Sequence, residues 1–240
     1  MPNRSEAAFL IIGDEILSGR TQDVNVVALA TALGARGIGL GEVRMVPDDH
    51  AIIGAAVNDL HTRFAHVFTS GGIGPTHDDM TADAIAAAFG VHIDVREDAR
   101  SLLAAYYASR DIEMNEARLR MARIPDGATL IDNPVSIAPG FTLGNVSVCA
   151  GVPKIFAAMI ANVIPTLEEG IEMVSRSVRL EIPEGDIAAS LKALAERFPA
   201  VAIGSYPFGL GGKLGCEIVF RSLDPSAADA ALAELEALTS

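Results

Sequence analysis

Short apolar runs alternate with longer amphipathic ones through the first two thirds of the chain. AAFLII (7–12), IGLGEVRMV (38–46), HVFTS (66–70) and NVSVCA (145–150) have the length and β-branched or aromatic content of strands. Between them, residues 25–33, 48–60 and 81–89 carry apolar positions at helical spacing, and a further helix starts at Pro153. Each of the first three helices opens on or near Asn, Asp or Thr, whose side chains take up free backbone N–H groups at a helix start. Strand–helix alternation of this kind predicts a parallel sheet covered on both faces. Residues 97–110 and 114–123 read as two more helices, and residues 128–141 as a strand and a loop.

Past about residue 170 the order changes to strand (177–182), helix (184–198), two strands (200–207 and 213–222) and a closing helix (225–238). That β-α-β-β-α order suits a small α+β layer and not another crossover. The expected division is 1–172 for the α/β domain and 173–240 for the appendage.

Composition narrows the function classes. A chain of 240 residues with net charge −13, no Trp and no cluster of basic residues lacks the electrostatic footprint of a nucleic-acid binder. No apolar run approaches the roughly 20 residues that cross a bilayer, and the N-terminal apolar run is too short ahead of its acids for a signal peptide. Two lone cysteines fit a reducing compartment. The expectation is a cytoplasmic protein with no nucleic-acid or membrane partner.

In an open parallel sheet, ligands bind beyond the carboxyl ends of the strands. Four unusual loops follow the predicted strands there: GDEILSGRTQDVN (13–25), PDDH (47–50), SGGIGPTHDD (70–79) and AGVPK (150–154). In the third, Gly71, Gly72 and Gly74 let backbone approach a ligand, and Thr76 can donate to a phosphate oxygen. The helix near Thr81 turns its N-terminus toward the same loop. No Lys follows, so this is not a Walker A loop, and the dinucleotide fingerprint lacks its third glycine. A plain tight turn with Asp78 or Asp79 as helix cap accounts for one aspartate but not for His77, Asp78 and Asp79 together. One of Asp48 and Asp49 can cap the helix that follows them. If Asp48 and Asp79 converge, their oxygens suit a Mg2+-like cation, with Asp14 and Glu15 close enough in the fold to join. The histidines at 50, 61, 66 and 92 lack metal-ligand spacing, and neither Cys149 nor Cys216 has an evident base, which argues against covalent catalysis.

With these loops in hand, the chain resembles the N-terminal domain of the CinA (competence/damage-inducible protein A) family, within the molybdopterin-binding fold. The resemblance runs from about Phe9 to the end. It rests on GDEILSG, VPDDHAII, SGGIGPTHDDMT, MNEARLRMARIPDGATLIDNPVSIAPGF, AGVPK and GSYPFG. It implies an α/β, three-layer molybdopterin-binding-like fold with a mostly parallel sheet, plus a small C-terminal α+β appendage. It also implies that Gly71, Gly72, Gly74 and Thr76 hold a pterin or nucleotide phosphate, together with Ser18, Gly19, Asn25, Asn133, Pro139, Gly140, Gly151 and Pro153. Asp48 and Asp79 would be catalytic and, with Asp14, would hold a divalent metal (Mg2+ or a transition metal such as Co2+). K+ is a further implied ion, no covalent cofactor is implied, and a homo-oligomer (dimer or trimer) is. The activity implied is metal-dependent cleavage of a nucleotide pyrophosphate of the ADP-ribose or FAD class. Adenylyl transfer to molybdopterin and non-catalytic nucleotide or pterin binding are the alternatives. The chain departs from the family pattern at Ala150, at Lys154 and Ile155, and at Ser136 and Ile137. Larger relatives continue into a nicotinamide-nucleotide amidase domain; the expectation here is a stand-alone form.

Overall fold

The computed structural model describes residues 6–210 and 213–239. They form two compact units, one through Gly170 and one from Ile171.

The first unit contains β1 (Glu6–Ile12), α1 (Asp14–Leu17), α2 (Asn25–Gly34), β2 (Gly39–Val46), α3 (His50–Arg63), β3 (His66–Ser70), α4 (Thr81–Phe89) and β4 (Ile93–Val95). It continues with α5 (Glu97–Ala108), α6 (Glu116–Arg120), β5 (Arg123–Pro125), β6 (Thr129–Ile131), β7 (Gly140–Leu143), β8 (Val146–Cys149) and α7 (Pro153–Val163). Six strands make one sheet in the order β2-β1-β3-β8-β7-β6. β2, β1, β3 and β8 run parallel, and β7 and β6 are added antiparallel at one edge. β4 and β5 pair separately. The short pieces β4, β5 and β7, and the helical turn α1 inside the loop 13–25, are additions to the elements expected from the sequence.

β1 shows why the sheet is central. Its residues alternate between the two faces and both are dry: Ala8, Leu10 and Ile12 join the core beneath α3, α4 and α5, while Ala7, Phe9 and Ile11 join the core beneath α2 and α7. Burial on both faces explains why this strand is a continuous apolar run rather than an alternating one. The result is three layers, helices on either side of a mostly parallel sheet, as expected for the fold.

The second unit is β9 (Val174–Leu180), α8 (Glu184–Arg197), β10 (Ala202–Leu210), β11 (Lys213–Ser222) and α9 (Pro225–Thr239). Its antiparallel sheet runs β10-β11-β9, and its core gathers Ile187, Leu194, Cys216, Ile218, Phe220, Ala231 and Leu235 on the helix side. No helix among the described residues is long and apolar enough to cross a membrane.

Candidate functional site: the carboxyl edge of the parallel strands

Neighbouring strands β1 and β3 lead away to opposite halves of the sheet, so their loops part and leave a crevice between them, the usual place for a ligand in such folds. Backbone bonds tie the loop starts together: the Gly13 N–H donates to Val46 O at 3.2 Å and the Gly71 N–H to Cys149 O at 3.1 Å. Gly71 has φ 101°, and a Cβ there would lie 2.1 Å from Ile12 O. Gly151 in turn sits against Gly71, where a Cβ would be 3.3 Å from the Gly71 Cα. The four loops therefore meet, and glycine is required at the point of closest approach.

The loop after β3 is organised by its own side chains. Asp79 Oδ2 accepts from the Thr76 N–H (2.8 Å) and the Thr76 hydroxyl (2.6 Å). Thr81, fully buried at the first turn of α4, donates its hydroxyl to Gly71 O and its N–H to Gly72 O, both at 3.0 Å. Neither Asp78 nor Asp79 caps α4, whose cap position is Met80 and has no side-chain bond. The first helical N–H is already taken by Gly72. The Gly72, Ile73 and Gly74 N–H groups have no acceptor among the described residues, so the turn presents donors of the kind that suit an anion.

The two aspartates after β2 separate cleanly. Asp49 caps α3, accepting from the Ala51 and Ile52 N–H groups at 2.9 Å each. Asp48 instead accepts from the Asp14 N–H at 2.9 Å across the edge. Partial burial raises the Asp48 carboxyl above its ordinary value; the Asp14 N–H opposes this, and the charges of Asp14, Glu15 and Asp78 add to it. The third-loop acid whose charge reaches Asp48 is thus Asp78. Asp79, the residue expected to meet Asp48, points its carboxylate back into its own turn. The Thr76 hydroxyl, and then Asp78's own backbone N–H, hold the Asp78 carboxyl below its usual range. That hydroxyl has one proton and serves one carboxylate at a time; the 2.6 Å geometry assigns it to Asp79.

Other expected residues have structural occupations. Asn133 is buried with both ends of its amide engaged, donating to Ser136 Oγ and Ala138 O and accepting from the Val135 and Ser136 N–H groups. It shapes the loop in which Ile137 takes φ 70°, a strained value for a β-branched residue. Gly140 lies in β7, where a Cβ would be 2.3 Å from Val148 O. Asn25 donates to Gly151 O at 2.9 Å, and its buried Oδ1 has no partner. Ser18 ends α1, donating to Glu15 O at 3.3 Å, and Gly19 beside it has φ 72° in open space. Pro153 is the first residue of α7. Cys149 is buried and its thiol is pushed up to about 12, so it supplies no thiolate at neutral pH.

Asp78, weighed in the sequence only as a helix cap, belongs to this edge, and so does Arg120, which was passed over: its Nη2 donates to Asp79 O at 3.2 Å, its Nε is buried without a partner, and it lines a cavity of about 20 Å³ with Gly72, Asp79 and Pro139. That volume holds about one water. A roomier groove, about 640 Å³, runs along β6, β7 and α7 and contains none of the expected site residues.

The acids at this edge offer only carboxylate oxygens, which suit a hard divalent cation. Among the described residues, no group of three or more His, Cys, Asp or Glu is placed to hold a metal ion. The site is thus one partly buried carboxylate in an acidic surround, with a turn of free N–H donors at the same sheet edge.

Comparison with known proteins identifies the family. Residues 172–240 match the family described as the FAD synthase middle domain. A protein of Thermococcus kodakarensis is 34% identical over 223 residues, covering 87% of this chain and 88% of its own length. A CinA-like protein of Desulforapulum autotrophicum is 32% identical over 211 residues, which are 81% of this chain and 50% of that protein. Among solved structures, that of CinA from Thermoplasma acidophilum, a protein of unknown function, superposes with a TM-score of 0.61 at 33% identity, over 66% of this chain and 95% of that one. Residues 8–169 match the family described as probable molybdopterin binding domain, and with these relatives the chain belongs to that family, in its CinA N-terminal form.

Proposed function

We propose that this edge cleaves a nucleotide pyrophosphate, of the ADP-ribose or FAD class, with the help of a divalent cation. The observation that carries the reading is Asp48, held partly buried within reach of three other carboxylate charges, at the sheet edge that also bears a loop of unpartnered N–H groups. The like charges that reach Asp48 favour a cation there, and the free donors of Gly72, Ile73 and Gly74 favour an anion at the same sheet edge. A metal bound through one or two carboxylates plus substrate phosphates needs no preformed cluster of three protein ligands. The match of residues 172–240 to the FAD synthase middle domain supports FAD as a member of the substrate class.

In this reading Asp48, with Asp14 or Asp78, holds the cation, while the glycine turn holds the diphosphate. Asp79 fixes the turn through Thr76, and Arg120 braces it from behind through Asp79 O. The cation, when bound, supplies Lewis-acid polarisation of the phosphoryl oxygens and lowers the pKa of a water. A screen of ADP-ribose, FAD and NAD against Mg2+, Mn2+ and Co2+ tests the reading. Metal-dependent hydrolysis that disappears in Asp48→Asn supports it; no hydrolysis with any pair, or undiminished hydrolysis in the variant, overturns it.

A further inference from the structure

The motif GSYPFG (204–209) plays no part in the edge described above, and the second unit shows what it builds. Register places Tyr206 opposite Glu217, and Glu217 opposite Arg179. These residues share the sheet face opposite the one where Cys216, Ile218 and Phe220 meet the helices. Strand alternation adds Gly204, Phe208, Gly215 and Arg221 to that outer face.

Both aromatic rings lie down along the sheet, because glycine leaves room for them. A Cβ on Gly204 would come within 3.2 Å of the Tyr206 ring, and one on Gly215 within 2.6 Å of the Phe208 ring. The Arg179 guanidinium stacks over Phe208 at 4.2 Å from its centroid. Tyr206 is 52% exposed. An exposed tyrosine resting on a glycine floor offers aromatic surface to a planar partner. The charge is also out of character: the paired part of this face carries Arg179 and Arg221 with one carboxylate, Glu217, in a chain of net charge −13. Arg221 has no carboxylate partner among the described residues.

We propose that this face binds a nucleotide, with its planar base stacked on Tyr206 beside the Arg179–Phe208 pair and its phosphate taken by Arg179 or Arg221. Stacking on an aromatic platform accepts any base, while the guanidiniums require the phosphate. This face belongs to the second unit, and the proposal does not rest on the activity proposed for the first.

Photoaffinity labelling of the full chain with 8-azido-ADP, read by peptide mapping, tests it. Label is expected within residues 202–222, with ADP protecting and ribose 5-phosphate not. Tyr206→Leu should weaken that labelling at least about ten-fold, as loss of a base stack does. Arg179→Gln, a second surface variant, should weaken protection by ADP several-fold while leaving protection by adenosine unchanged. Label on residues 71–79 reports the first-unit site independently and should be the same in both variants. Absence of label from 202–222, label there indifferent to both substitutions, or a single-stranded oligonucleotide protecting at far lower concentration than ADP would overturn the proposal.

Discussion

Two consecutive aspartates follow β2 and two more follow β3, and each pair is divided in the same way. Asp49 is taken by the N–H groups at the start of α3, and Asp79 by the N–H and hydroxyl of Thr76. Asp48 and Asp78 are left over, and their charges meet across the edge. In each loop one acid makes the backbone hold still, so that its neighbour can be kept at a place where, alone, it would be repelled. The difference between the pairs lies in burial: Asp48 is partly desolvated and raised, whereas Asp78 is exposed. In the proposed reaction Asp48 is then the acid on which turnover rests, and Asp78 is an auxiliary charge.

The strongest way to break this symmetry is to move the frame that holds the two loops together. Gly71→Ala forces a side chain to φ 101° and against Ile12 O. It should cost at least about 3 kcal/mol in urea unfolding and abolish nucleotide binding with it, because the clash is with backbone and not with a side chain that can turn away. Removing a structural acid is milder. Asp49→Ala loses an N-cap worth about 1 kcal/mol and should lower Tm by about 2–4 °C, while hydrolysis per folded molecule stays within about two-fold. Asp79→Asn keeps an acceptor for Thr76 but loses its charge. Its expected signature is local: faster amide exchange at Thr76, with a global stability loss under about 1 kcal/mol.

The smallest effect separates the pairs by sign. The Asp48 carboxyl titrates above its unfolded value, so between the two values the folded chain binds more protons than the unfolded one. Its contribution to stability therefore falls as pH rises through that window and is unfavourable at pH 7. Asp48→Asn should flatten that slope and raise Tm at pH 7 by about 1–2 °C, the sign expected when a functional group is held at a cost to stability. Differential scanning calorimetry of both proteins from pH 4 to 7 measures it.

The sheet was legible in the sequence for a simple reason: β1 and β3 are buried on both faces, and AAFLII and HVFTS can be little else. The convergence of the four loops followed from topology alone. The division of labour within each aspartate pair did not, because Asp-Asp before a helix reads the same whichever residue caps it. Only the turn made by Thr76 decides that Asp79 folds inward and leaves Asp78 as the acid whose charge reaches Asp48. Arg120 was hidden for another reason: it lies 41 residues beyond Asp79 in an ordinary helical pattern, and nothing local marks its reach. The short strands β4, β5 and β7 contain Pro or Gly or run to only three or four residues, too little for periodicity to register.

The central claim is that Asp48 works and Asp49 holds. Metal-dependent ADP-ribose hydrolysis by Asp48→Asn and Asp49→Asn, each assayed as folded protein at the same temperature, tests it most directly. The account predicts loss of turnover of about a hundred-fold or more in Asp48→Asn, with Tm unchanged or raised, and near-normal turnover in Asp49→Asn with a lowered Tm. Equal turnover in the two variants, or loss confined to Asp49→Asn, would contradict it.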